Sequence, residues 1–291
     1  MKHLIRLLFL SALFLFSCSN QDEGEWNTDN QKDSQTPKKI MGISFNKASL
    51  TTFAEHNITE LGVYVYLSDS LVYGKTLSLN NGELEIEVPL GENLKTFAVA
   101  NAGIIADTDS LHKITIYQEE NCQKEVFVSD IVSFISDKSV EKVNLELKRK
   151  VGQAILKPVE STTELSGVTS FDAINVIFNN VVTGYKPGTD EYILDNVTVN
   201  SKLADGYSAS VYSFPTPGED LGSIEVIYTK GNIEVNKTSR PLEVAIKYEI
   251  SKRSVVNMPI LDEDYLEKNF PTLRMKKSKV NQRVTIQEYE F

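Results

Sequence analysis

Glu83-Leu84-Glu85-Ile86-Glu87-Val88 alternates a carboxylate with an aliphatic side chain through three repeats. Successive residues of a strand point to opposite faces. The pattern therefore predicts a β-strand with one buried side and one acidic, solvated side. Asn80-Asn81-Gly82 signals a turn before it, and Pro89-Leu90-Gly91 closes it. The same period continues outward. Leu61, Val63, Val65 and Leu67 share one face while Tyr64 and Tyr66 take the other. Residues 96–101, 113–117 and 125–128 read as further strands, and residues 131–135 fit either a short helix or a strand. Val143, Leu145 and Leu147 alternate, and after Lys148-Arg149-Lys150 so do Ala154 and Leu156.

The second half repeats the style. Ile174, Val176 and Phe178 make one strand, residues 207–214 another, and Ile224, Val226 and Tyr228 a third before the turn Lys230-Gly231-Asn232. Val244, Ile246, Tyr248 and Ile250 follow, then residues 255–258. No apolar stripe of 3.6-residue period is long enough for a core helix. The expected fold is all-β: two tandem β-sandwich domains with Greek-key connections, residues 41–150 and 151–291, divided near residues 149–159. Residues 261–279 run from Asp262, Glu263 and Asp264 to Arg274, Lys276, Lys277 and Lys279, with room for a short helix. In residues 280–291, Val284, Ile286 and Glu288 alternate with Thr285, Gln287 and Tyr289, so a last strand is expected there. It is expected to pair within its own sheet rather than with another subunit.

The composition supports this and narrows the function. The 291 residues are 41% hydrophobic and 24% charged, enough to bury a core. Asp and Glu number 40 against 30 Lys and Arg, a formal net charge of -10. A chain so acidic is not expected to take nucleic acid as a partner, because neutralising phosphates needs a basic surface. Two cysteines, Cys18 and Cys122, supply neither a disulfide scaffold nor a cysteine zinc site. Beyond the N-terminal region the imidazoles are His56 and His112, neither in a recognisable motif. G-x-S-x-G, H-E-x-x-H and the Gly-rich phosphate loops are missing from the sequence. No catalytic residue, metal or cofactor is expected, and the chain is not read as an enzyme. Cys122 is expected to be a small buried residue, not a reactive thiol.

The N-terminus reads as an address. Lys2 and Arg6 precede an apolar run over residues 7–16. Ten helical residues rise about 15 Å, roughly half the hydrocarbon thickness, so the run fits an export signal and not a membrane span. It ends in Leu15-Phe16-Ser17-Cys18, which resembles the bacterial lipobox. That resemblance implies a signal peptide over residues 1–17, cleavage between Ser17 and Cys18, and acylation of Cys18. Several acyl chains, at about 0.8 kcal/mol per buried CH₂, hold a protein firmly to a membrane. Residues 18–40 then form a polar tether, with Trp26 its large apolar residue. Asp22, Glu23 and Glu25 just after the cysteine resemble the surface-export signal of Bacteroidota lipoproteins. Asp69-Ser70-Leu71 and Asp109-Ser110-Leu111 each resemble the short O-glycosylation acceptor of the same group, which makes Ser70 and Ser110 candidate sites.

Behind the lipobox and tether, a set of strand and turn patterns recurs. These are Leu61-Gly62-Val63-Tyr64-Val65-Tyr66, Val88-Pro89-Leu90-Gly91, Phe97-Ala98-Val99-Ala100-Asn101 and Val143-Asn144-Leu145-Glu146-Leu147-Lys148-Arg149, which runs into Val151-Gly152-Gln153-Ala154. Together they resemble the FimB-type (Mfa-type) fimbrial anchor subunits, fimbrillin-associated lipoproteins of Bacteroidales, over residues 42–258. The resemblance implies two transthyretin-like β-sandwiches and fimbrial major pilin subunits as partners. It also implies assembly by exchanged β-strands, adhesion, and a lipid-anchored place in the outer membrane at the fimbrium base. Polymerising members are trimmed at a basic residue beside the first strand. No arginine lies between Arg6 and Arg149, although Lys38, Lys39 and Lys47 remain. That favours a retained anchor over a shaft or tip fimbrillin. The competing class is a surface glycan-binding lipoprotein of a polysaccharide-utilisation system. It would need exposed aromatic platforms, yet the one tryptophan lies in the tether and Tyr64 and Tyr66 are explained as a strand face.

Overall fold

The computed structural model describes residues 37–79, 83–160, 171–231, 233–234, 239–261 and 284–291, and Thr36–Phe291 cluster as one unit. The export signal, Cys18, the tether up to residue 36, the turn at residues 80–82 and nearly all of residues 261–279 lie outside the described residues.

The chain is all-β. In the first half, β1 (Lys38–Phe45) leads into a short helix, α1 (Lys47–Glu55). Then come β2 (Glu60–Leu67), β3 (Ser70–Ser78), β4 (Glu83–Pro89), β5 (Asn93–Ala100), β6 (Ile104–Ala106), β7 (Thr115–Tyr117), β8 (Phe127–Ser129), β9 (Val132–Ile135), β10 (Lys142–Leu145) and β11 (Leu147–Arg149). The second half supplies β12 (Gly152–Pro158), β13 (Ala173–Lys186), β14 (Glu191–Lys202), β15 (Ala209–Ser213), β16 (Gly222–Lys230), β17 (Ile233–Glu234), β18 (Arg240–Ile246), β19 (Lys252–Met258) and β20 (Thr285–Glu290).

One sheet is small, in the order β10-β1-β4, with β1 parallel to β10 and antiparallel to β4. The Glu83–Val88 alternation behaves as its pattern requires: Leu84, Ile86 and Val88 are buried, and the three glutamates are exposed. A second sheet runs β11-β8-β5-β2-β3, with β9 also on β5. These two sheets close over one core, where Met41, Ile43, Phe45, Leu61, Val63, Val65 and Ile86 meet. Helix α1 was invisible to periodicity because it buries only Ser49 and Phe53. It is held by its cap instead: the Asn46 side chain accepts from the Ser49 amide at 2.8 Å, and Phe53 packs edge-on against Phe45 with centroids 5.1 Å apart. Residues 131–135 resolve as a strand, β9, paired with β5.

A third sheet is built on β13, flanked by β14 on one side and by β16 and β7 on the other, and extended by β6, β17 and β18. A fourth runs β15-β12-β19-β20. Their shared core includes Leu156, Ile174, Phe178, Val211, Ile224, Tyr228 and Val256. Strands β6 and β7 precede residue 150 yet belong to the third sheet, where Gly184 pairs with Tyr117 and Tyr185 with Ile116. A third core joins the halves. Tyr64, Tyr66 and Phe97 from the second sheet meet Ile114, Ile116, Val151, Val182 and Phe214. Both faces of β2 are therefore buried, and its two tyrosines form the second buried face.

Candidate functional site

Strands present main-chain N–H and C=O groups at their edges, so the first question is which edges are covered. In the fourth sheet, the β15 edge is closed by a loop. The Tyr212 amide donates to the Cys122 carbonyl at 2.8 Å, and the Gln123 side-chain amide donates to the Ser210 carbonyl at 2.7 Å. At the opposite edge, β20 pairs antiparallel with β19 through six residue pairs, from Lys252↔Glu290 to Asn257↔Thr285. All six β20 residues are exposed. The strand is thus held chiefly by ladder hydrogen bonds. Among the described residues, no strand pairs with its outer edge.

What fixes the end of β20 is Phe291. Its amide donates to the Ser251 carbonyl at 3.0 Å, and two guanidinium groups lie over its ring, Arg149 at 4.5 Å and Arg253 at 4.7 Å from the centroid. Arg149 also donates to the Phe291 main-chain oxygen. The clamp is itself anchored. Arg149 Nε donates to Glu125 Oε2 at 2.9 Å, Tyr212 donates to Glu125 Oε1 at 3.3 Å, and Arg253 Nε donates to Gln153 at 2.7 Å. His56 Nδ1 stands 3.4 Å from the same carboxylate. No local pattern in the sequence announces this cluster, because its members come from distant parts of the chain.

The first strand is built differently. β1 lies between β4 and β10, with Met41, Ile43 and Phe45 buried beneath it, so its removal would open both a main-chain slot and an apolar groove. Among the lysines beside it, Lys39 donates to the Asp137 and Val140 carbonyls, whereas Lys47 is exposed at the start of α1. The sequence reading left Lys38 to Ile40 in the tether. Two adjacent lysines hide the register that Met41, Ile43 and Phe45 continue.

The two Asp-Ser-Leu triplets, 40 residues apart in the chain, lie side by side. Ser70 and Ser110 form an isolated antiparallel bridge, the Leu71 amide donates to the Asp109 carbonyl at 3.1 Å, and the Leu111 amide donates to that of Asp69 at 2.9 Å. The Asp69 carboxylate accepts the Ser110 hydroxyl at 2.5 Å, the His112 amide at 2.9 Å and, at 2.5 Å, contacts His112 Nδ1. The Ser110 hydrogen bond, followed by the His112 amide, pulls the Asp69 carboxyl down to about 2. Serine, histidine and aspartate meet here without the bond a nucleophilic triad needs, since Ser110 donates to the carboxylate and not to the imidazole. Ser70 is exposed; Ser110 is half-buried with its hydroxyl engaged.

Cys122 is buried, and burial pushes its thiol up to about 12, which suits packing rather than reactivity. Among the described residues, no group of three His, Cys, Asp or Glu side chains is placed to hold a metal. No helix of the described chain is long and apolar enough to cross a membrane.

No protein-family model matches the chain, and no curated protein matches it in sequence. Solved structures do resemble it. A structure of proposed polysaccharide-binding proteins from Bacteroides thetaiotaomicron matches with a TM-score of 0.51 at 10% identity, covering 76% of this chain and 92% of that one. A proposed adhesin from Bacteroides ovatus matches with a TM-score of 0.50 at 12% identity, covering 80% and 88%. A fimbrial assembly protein from Parabacteroides distasonis gives 0.40 at 10% identity, covering 76% and 91%. At such identities the first two likenesses establish a shared fold.

Proposed function

We propose that this chain is a surface lipoprotein that serves as the anchor subunit of a fimbria, joins pilin subunits by β-strand addition, and supports adhesion. The observation that carries the proposal is β20, a strand seated on the β19 edge with no buried side chain and with its own outer edge unpaired among the described residues. An edge of this kind takes up a strand through main-chain bonds with little demand on side chains. The adhesin-like fold of the Bacteroides ovatus structure supports the reading, as do the lipobox at Cys18 and the family resemblance. In this reading Cys18 carries the lipid, the polar residues after it lead to the body, and the two halves of the body supply two sandwiches. Of the two candidate glycosylation sites, Ser70 is the accessible one.

Anchor and shaft roles part at β1. An anchor keeps β1 in place, and a shaft pilin loses it by cleavage near Lys39 or Lys47. Determining the N-terminus of the protein isolated from its own cells distinguishes them. An acylated Cys18 start supports the anchor; a start after Lys39 or Lys47, with ladders on gels, replaces it with the shaft reading.

A further inference from the structure

A trough lies on one face of the second sheet and takes in its edge strand, β3. Thr76, Gly62 and Val99 form one rung across β3, β2 and β5, so all three face the same way. The middle residue has no side chain. A Cβ on Gly62 would stand 3.1 Å from the Tyr64 ring and 3.5 Å from Ile105 Cδ1, so the glycine lets these two side chains close over the strand at the floor of the trough. The walls come from the loop after α1, from β3 and from the residues following β5, and the hollow measures about 270 Å³. That lies just below the roughly 300–1,000 Å³ usual for small-molecule sites.

Its lining is chemically distinctive. Val99, Ala102 and Ile105 make an apolar side. Around it stand the Glu60 carboxylate, the Asn57 and Asn101 amides, and the Thr59 and Thr76 hydroxyls. Among the described residues, none of these five side chains makes a hydrogen bond or ion pair within the protein. No Lys, Arg or His lines the trough, so nothing there recognises an anion. Tyr64, whose ring lies against Gly62, is buried, and no aromatic residue lines the walls, so a flat ring finds no open face to stack on. One carboxylate is too few to replace the oxygen shell of a hard cation. What remains is a carboxylate acceptor, two amides and two hydroxyls around a small apolar patch. That set matches a neutral polyhydroxylated ring, whose hydroxyls both donate and accept while its C–H face rests on apolar carbon.

We infer that the trough over Gly62 binds a neutral saccharide unit, with Glu60, Asn57 and Asn101 as its recognition groups. The inference does not depend on strand addition, since none of these residues lies on the β19 or β1 edges.

Two of the recognition residues permit clean removal. Asn57 and Asn101 both have positive φ, 51° and 59°, a backbone glycine adopts freely, so Asn57→Gly and Asn101→Gly delete the amide without strain. The test titrates the full-length chain with D-glucose, D-galactose, D-mannose and N-acetyl-D-glucosamine, followed by amide NMR. At least one of these sugars is expected to shift Gly62, Thr76 and Asn101 saturably. Asn101→Gly and Glu60→Gln should each weaken that binding by up to about tenfold, the usual cost of one hydrogen bond. Asn57→Gly provides the same reading should either variant disturb the spectrum elsewhere. Absence of shifts with all four sugars up to about 50 mM, a limit that includes even millimolar sites, overturns the inference. So do shifts that persist undiminished in the variants, or a preference for anionic N-acetylneuraminate over every neutral sugar.

Discussion

Asp69 shows how one side chain joins two parts of the chain. It sits at the β2–β3 turn and accepts three donors from residues 110–112, which lead into β7 and the third sheet. Its carboxyl is held at about 2, below the ordinary 3.8. Because the folded value is the lower one, Asp69 favours the folded state above its unfolded pKa, and that contribution is lost as pH falls through the folded value. Acid titration of stability should therefore show a slope between about pH 4 and pH 2 that flattens in Asp69→Asn. Equal slopes in the two proteins would mean the tie does not contribute. Gly188 makes a close approach between the halves. A Cβ there would lie 2.0 Å from the Leu111 carbonyl oxygen, a main-chain atom that cannot swing aside. Gly188→Ala should cost about 1–3 kcal/mol in chemical denaturation, as overpacking does. Neither contact was legible in the sequence. The two Asp-Ser-Leu triplets stood out there only as acceptor patterns, and nothing local says they touch.

At the scale of elements, alternation was a good guide wherever one face is buried and the other solvated. The Glu83–Val88 strand is the clearest case, and Ile86→Ala should cost about 2–5 kcal/mol because Ile86 is fully packed between two sheets. Periodicity failed where another force sets the structure. β3 has no fully buried residue and follows β2 by hairpin pairing. β14 buries only Val197 and Ser201 and owes most of its twelve residues to the ladder on β13. Residues 143–147, which read as one alternating strand, divide into β10 and β11 on different sheets, with the Leu147 amide turned to the Ser49 hydroxyl at 2.9 Å. The last strand is present as expected and pairs within its own sheet, yet its attachment through Phe291 needed distant arginines. Phe291→Ala should loosen β20 alone. Amides of β19 that donate to β20 should exchange faster with deuterium, while those donating to β12 stay protected. Uniform protection would assign the clamp no part in holding the strand.

The whole molecule is tied across its middle. β6 and β7 cross into the third sheet, and Tyr64, Tyr66 and Phe97 share a core with Val182 and Phe214. Such sharing predicts one cooperative thermal transition, with calorimetric and van't Hoff enthalpies in agreement, where separate sandwiches would give two. Alternation pointed to the all-β body, but not to the sheets crossing between the halves, because β6 and β7 have three residues each and no periodicity to read. The central claim, strand addition to a fimbrial subunit, is tested most directly by crosslinking mass spectrometry on intact outer membranes of the source cells. Crosslinks are expected from Lys252 and neighbouring residues of the β19–β20 edge to a terminal segment of a co-purifying pilin, on a protein that begins at acylated Cys18. A membrane-bound protein whose crosslinks from that edge are all internal, with no pilin among its partners, would contradict it.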